Sequence, residues 1–432
     1  MSLAMSLRGR GPAGSAARAS KVLSRFGATA GAMARRLERY DALAARYGAR
    51  VTWPATASVL ARHPDLLKAH VERGVEIALH GLVHGDHANL GAQFQRETIA
   101  RALAIFERSG YQPSGFRGPY LRYNATTLDV ARELGLRWHS SQAVLFPLVE
   151  EPDPSRAPAY ERALELYSAL DARRVAVVPR LRDGLVDIPV AIPDDEILLE
   201  RLVAGEDTRI AQWRAILDLT YERAELFTVQ LHPERIDELA TALEATLAEA
   251  RRRRPVVYVA TLDEIARWWV RRSRFSLRVV RLADERHRVH LDAADDATLL
   301  VRTTSDDGTR DAVAETFDFE MYGPRAPVVG VSERTPRSVL RFLGEEGWPF
   351  EVSSRSESFG AYIDVAGEMW AETEILRALD RAPGPLVHIG RWPNGSRSAL
   401  AVTGDIDALT LFDFAVRSWE TRRPELGGWS SR

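Results

Sequence analysis

The sequence predicts an α/β fold assembled from parallel β/α units, and three observations carry that reading. Strand-like apolar runs alternate with amphipathic helical stretches through residues 23–270. Polar clusters follow several of these runs, as they do where functional groups collect at the C-terminal ends of barrel strands. One further run, Ser398-Ala-Leu-Ala-Val-Thr403, stands almost at the C-terminus and leads into Asp405 and Asp407.

The elements follow in order. Met33, Leu37, Leu43 and Ala44 recur at a helical period within residues 28–47, and Arg50-Val-Thr-Trp-Pro-Ala55 reads as a strand. Residues 64–74 read as a helix with a glycine stop, 75–79 as a strand, and 93–110 and 126–135 as helices. Glu225 to Leu231 is a strand, and 235–254 and 261–269 are helices. Residues 150–205, broken at Pro189 and Pro193 and acidic at Asp194-Asp-Glu196, read as an insertion that walls a groove. After Trp269 the pattern changes. Short alternating runs over 275–319 predict an antiparallel β-rich module. Helices at 335–347 and 370–381 and a strand at 385–389 then restore α/β character. The expected organisation is a tail at 1–22, the main body at 23–270, a β-rich module at 271–330, a small α/β segment at 331–397, and a C-terminal strand and helix at 398–432.

Composition excludes several classes. Fifty-eight basic against 60 acidic residues leave a net charge of -2, so no global field favours nucleic acid or an acidic membrane. The run Arg251-Arg-Arg-Arg254 fits the C-terminus of its helix. With no cysteine, disulfides, thiolate ligands and a Cys nucleophile are all excluded. The first twenty residues lack a signal-peptide apolar block, and no stretch approaches the ~18 apolar residues of a membrane span, so a cytoplasmic location is the expectation.

Four clusters carry chemistry. His80 and His84 are spaced to share a helical face and bind a metal, although such a pair also arises by chance among 10 histidines. Asp405 and Asp407 end a strand, where Gly-Asp-x-Asp is also an ordinary turn. Arg117 stands in Gly115-Phe-Arg-Gly-Pro-Tyr120, a turn residue by the plainer reading. His232 stands in Leu231-His-Pro233, where it also suits a helix start, and Tyr120 and Leu231 suit a core equally well. Four polar clusters after four strand-like runs point to one common face, and the set is far more specific than any member.

Together these motifs resemble the polysaccharide deacetylase family, over roughly residues 23–270 plus 398–408: Thr403-Gly-Asp405-Ile-Asp407, His80-Gly-Leu-Val-His84, Arg117-Gly-Pro-Tyr120 and Leu231-His232. The resemblance implies a distorted β/α barrel whose first strand is supplied by the C-terminus, as in a circular permutation. It implies that Asp407, His80 and His84 hold a divalent metal, most often zinc, with cobalt, manganese, nickel or iron sharing the donor set. Asp405 would be the base and Arg117 its partner. The backbone N–H of Tyr120 would face the oxyanion, His232 would be the acid, and Leu231 would line the acetyl pocket. The implied function is removal of an N-acetyl or similar acyl group from an amino sugar or polysaccharide; a small-molecule amide hydrolase or a noncatalytic carbohydrate-binding relative is the alternative. Gly81 replaces a hydroxyl residue that ties loops together in relatives, and His139 stands where relatives often carry Asp. The expected partner is a carbohydrate or small amide, and exchange of the C-terminal strand between identical chains would give a homodimer.

Overall fold

The computed structural model describes residues 25–147, 154–305 and 308–421; the expected tail at 1–22 lies outside them, as does the end of the C-terminal segment. The body is a curled, almost wholly parallel sheet. In chain order its strands are β1 (Val51–Ala55), β2 (Glu76–Leu79), β3 (Gly115–Phe116) and β4 (Trp138–His139). A second sheet has β5 (Ala143–Leu145), β6 (Leu170–Asp171) and β9 (Val190–Ile192), while β7 (Arg180–Arg182), β8 (Leu185–Asp187), β10 (Leu226–Gln230) and β11 (Val257–Val259) return to the first.

The inserted segment carries β12 (Ser276–Arg281), β13 (Arg286–Asp292), β14 (Leu299–Ser305), β15 (Gly308–Val313) and β16 (Asp318–Tyr322). It continues with β17 (Ala326–Val331), β18 (Phe350–Val352), β19 (Phe359–Ile363) and β20 (Leu386–Ile389) before β21 (Ser398–Thr403). The barrel sheet runs β10-β21-β1-β2-β3-β4-β8-β7. Strand β9 packs against β10, so the small second sheet covers the gap between the ends.

The C-terminal strand is therefore an inner strand of its own chain's barrel. One edge pairs in parallel with β10, from Leu226↔Ala399 to Gln230↔Thr403. The other edge pairs first with β11 and then with β1. Every residue of β1, β10 and β21 is buried, the pattern of parallel strands covered on both faces. The helices Gly31–Arg46, Ala92–Arg108 and Ile236–Arg252 lay apolar stripes on this sheet; Leu37, Ile99 and Leu243 are wholly buried in one core.

Three readings change. The stretch at 64–74 yields only a short helix, Lys68–Glu72, preceded by an unforeseen Ala57–Arg62. Residues 150–205 are not merely an insertion, because β8 pairs with β4 and thereby continues the barrel sheet. Strands of two or three residues are too short to show a period, which explains the difference. Beyond the barrel, β12-β13-β16 and β15-β14-β20 are antiparallel sheets and β18-β17-β19 is parallel. Strand β20 pairs with β14, so the stretches 271–330 and 331–397 share a sheet. No helix among the described residues is long and apolar enough to cross a membrane.

Candidate metal centre

Backbone bonds that continue the ladders past the strand ends assemble the site. His80 N donates to Ala55 O, Arg117 N to Leu79 O, Leu231 N to Thr403 O, and Gly404 N to Thr52 O. Each polar cluster is thus pinned to its neighbour's strand at the C-terminal edge. Gly404 lets two of them close up: a Cβ there would lie 2.1 Å from Leu231 O.

His80 and His84 do not share a helical face; they occupy the loop after β2. The loop turns at Gly81, whose φ of +84° favours glycine and whose Cβ would stand 3.0 Å from Val83 O. It is tied down without a hydroxyl, because Ala57 N and Ser58 N donate to Gly81 O and Leu82 O.

His80 Nε2 lies 3.3 Å from Asp407 Oδ1, and His84 Nε2 lies 3.1 Å from Asp407 Oδ2. Ligand atoms of these three residues fall within 4.8 Å of one another. All three side chains are buried, yet His80 Nε2 and Asp407 Oδ1 have no hydrogen-bond partner. Two facing, buried, unsatisfied atoms are expected where an ion is held, so the donor set fits a divalent cation. Burial lowers the His84 pKa to about 4 against the pull of Asp407, which leaves an uncharged imidazole with a free lone pair. Burial would raise the Asp407 carboxyl, but His84 and Arg417 hold it well below the usual carboxylate range.

Asp405 is held from two sides. Arg117 Nη1 donates to its Oδ1 at 3.1 Å, and Gln230 Nε2 donates to its Oδ2 at 3.0 Å. Its Oδ2 also stands 3.7 Å from His80 Nε2, so the two aspartates flank one imidazole. Arg117 is fully buried and spends its other donors on the Ser140 carbonyl and hydroxyl and the Thr403 hydroxyl. His139 is buried in the core, where its Nδ1 pairs with Asp187 Oδ1 at 3.0 Å. Tyr120 stacks edge-on against His84 with centroids 4.3 Å apart, and it adopts φ 60°, a left-handed strain of the kind that gathers at functional sites. Leu231 is buried beside the Thr403 end of β21.

His232 follows Gln230 by two residues, just as Asp405 follows its register partner Thr403. Its backbone N–H and ring Nδ1 both bond Asp195, at 2.8 and 2.9 Å. Burial alone would lower the imidazole pKa, but Asp195 outweighs it and pushes it up to about 10. His232 is therefore a cation at neutral pH, able to give a proton.

Two participants lie outside the sequence motifs. Asp195 sits in the acidic run read as a groove wall, and only its partner His232 signals it. Arg417, from the C-terminal helix Leu411–Glu420, donates to Asp407 Oδ2 at 2.6 Å. No sequence signal marks it beyond a basic residue ten positions after an aspartate.

The polysaccharide deacetylase family profile matches residues 32–139, which contain both histidines and Arg117. This quarter of the chain is similar to polysaccharide deacetylases. Over 93 residues it is 32% identical to a peptidoglycan deacetylase-like protein of Gibberella zeae, covering 21% of this chain and 28% of that protein. Over 95 residues it is 30% identical to the peptidoglycan-N-acetylglucosamine deacetylase of Listeria monocytogenes, covering 21% and 19% respectively. The chain thus spans less than a third of the length of these curated relatives. A solved structure from Mycobacterium smegmatis, assigned to polysaccharide deacetylases, covers 61% of this chain and 82% of its own at 19% identity and a TM-score of 0.44.

Proposed function

We propose that this chain is a metal-dependent amide hydrolase of the polysaccharide deacetylase family that removes an N-acetyl or similar acyl group from an amino sugar or polysaccharide. The observation that carries the reading is the meeting of His80 Nε2 and His84 Nε2 on Asp407, with Asp405 3.7 Å from the first imidazole. When bound there, a divalent cation supplies Lewis-acid polarisation of an amide carbonyl and brings the pKa of water toward ~7. Two imidazoles and one carboxylate suit zinc first, with cobalt, manganese, nickel and iron sharing the set.

The chain's own groups do the rest. Asp405, oriented by Arg117 and Gln230, takes the proton of the attacking water. His232, kept cationic by Asp195, returns a proton to the leaving amine. The backbone N–H of Tyr120 serves the developing oxyanion, and Leu231 lines the acyl pocket. The strand order reads as a circular permutation, in which the strand bearing the aspartate pair, ordinarily first, comes last.

One observation favours a second reading, hydrolysis of a compact non-sugar amide. The C-terminal helix brings Arg417 onto Asp407, and Asp407, His80 and His84 are each less than a tenth exposed, which suits a small substrate better than a polymer. Acetate release from N-acetylglucosamine oligomers, compared with turnover of ureides and formamides, separates the two. Turnover that survives both chelation and Asp405→Asn would end the hydrolase proposal; sugar affinity without turnover under any metal would make the chain a noncatalytic carbohydrate binder.

A further inference from the structure

At the opposite, N-terminal edge of the strands a cavity of about 210 Å³ lies between the barrel floor and the inserted segment. The barrel contributes Glu225 and Arg397, immediately before β10 and β21, and Pro255, two residues before β11; the insert contributes Leu300, Trp348 and His388. The volume exceeds the ~150 Å³ that houses a benzene ring, so it admits one ring with a few substituents.

Glu225 is wholly buried, and neither of its carboxylate oxygens has a hydrogen-bond partner. Burying an unpaired carboxyl is unfavourable, and such groups persist where something else completes them. Most of the cations around it are already engaged, and Arg377 stands exposed at the rim, while Arg223 donates to the carbonyl of Ala172. Arg302 pairs with Asp311 and Asp380, Arg391 with Glu346, and Arg397 donates to the carbonyls of Tyr221 and Glu222. An anionic ligand would find these donors taken, whereas an ammonium group would draw the Glu225 carboxyl, which burial pushes up to about 7, into its ionised form. Nor is this a cation cage, because the one metal-capable cluster among the described residues is at the other end of the sheet.

We propose that the cavity binds a small organic amine, whose N–H groups donate to the Glu225 carboxylate while its apolar body rests on Leu300, Val313 and Trp348. The inserted segment then has a purpose, since it builds half of a ligand site on the barrel floor. The inference does not rest on the hydrolase reading.

Calorimetric titration of the full chain with benzylamine, with benzyl alcohol as neutral counterpart, tests it. The amine should bind saturably and about tenfold more tightly than the alcohol, the advantage of a charge-assisted bond. Glu225→Gln should erase that advantage. Leu300→Trp, which fills the cavity and leaves Glu225 intact, should abolish both, whereas His80→Ala at the far end should change neither. Absence of saturable binding at millimolar amine, or an undiminished preference for the amine in Glu225→Gln, overturns the proposal.

Discussion

His80 donates from Nδ1 to the backbone carbonyl of Arg117 at 2.8 Å. A carbonyl can only accept, so Nδ1 carries a hydrogen, and it is Nε2 that faces Asp407. The residue that orients Asp405 thus also sets, through its own backbone, which imidazole nitrogen an ion would meet.

Divalent cation should stabilise the fold through this prepared nitrogen. At a free concentration near a hundred times Kd the gain is about 2.7 kcal/mol, visible as a raised melting temperature that a chelator reverses. His80→Ala should remove the shift. A shift of unchanged size in that variant would mean that the ion binds elsewhere.

The His232 pair gives a signed pH dependence. The folded imidazole titrates at about 10 against an ordinary 6.5, so its contribution is complete below 6.5 and is lost as pH rises through 10. Asp195, which burial would raise but His232 and Arg235 hold down to about 2, contributes above its ordinary 3.8 and loses this as pH falls toward 2. Asp195→Asn should bring the His232 titration, followed by NMR of the ring, down by more than one pH unit, and should flatten the alkaline limb of stability. If His232 in the parent protein titrates near 6.5, this assignment is wrong.

Arg417 places a positive charge on the carboxylate proposed to bind the ion. Neutralising it in Arg417→Gln should tighten divalent-cation binding, by roughly 1 kcal/mol for one partly exposed charge. Calorimetry would read this as a lower Kd; a weakened affinity would show instead that Arg417 holds Asp407 in its binding rotamer.

Close approach of β10 and β21 requires a bare α-carbon at Gly404. Gly404→Val should destabilise the fold by about 1–3 kcal/mol, the range of overpacked sites, in urea unfolding. Wild-type stability would mean that the two strand ends are not apposed as described.

Much of this is legible before any coordinates. Long buried strands such as Leu226–Gln230 and Ser398–Thr403 announce themselves as apolar runs with His232 and the pair Asp405 and Asp407 just past their ends, and His80 and Arg117 follow the shorter Glu76–Leu79 and Gly115–Phe116. What escapes is contact made across space from unmarked stretches. Asp195 reaches His232 from a proline-flanked acidic run, and Ser140 reaches Arg117 from just past β4, which has only two residues and shows no face. The Glu225 cavity needs both the barrel floor and the insert, which no local pattern relates.

The central claim is that a strand from the end of the chain and a histidine loop from its beginning hold one ion. Anomalous scattering from a crystal soaked in a divalent transition metal tests it most directly. The account predicts a single strong peak in contact with His80 Nε2, His84 Nε2 and Asp407; a metal peak that lies away from Asp407, with these three side chains free of it, would contradict it.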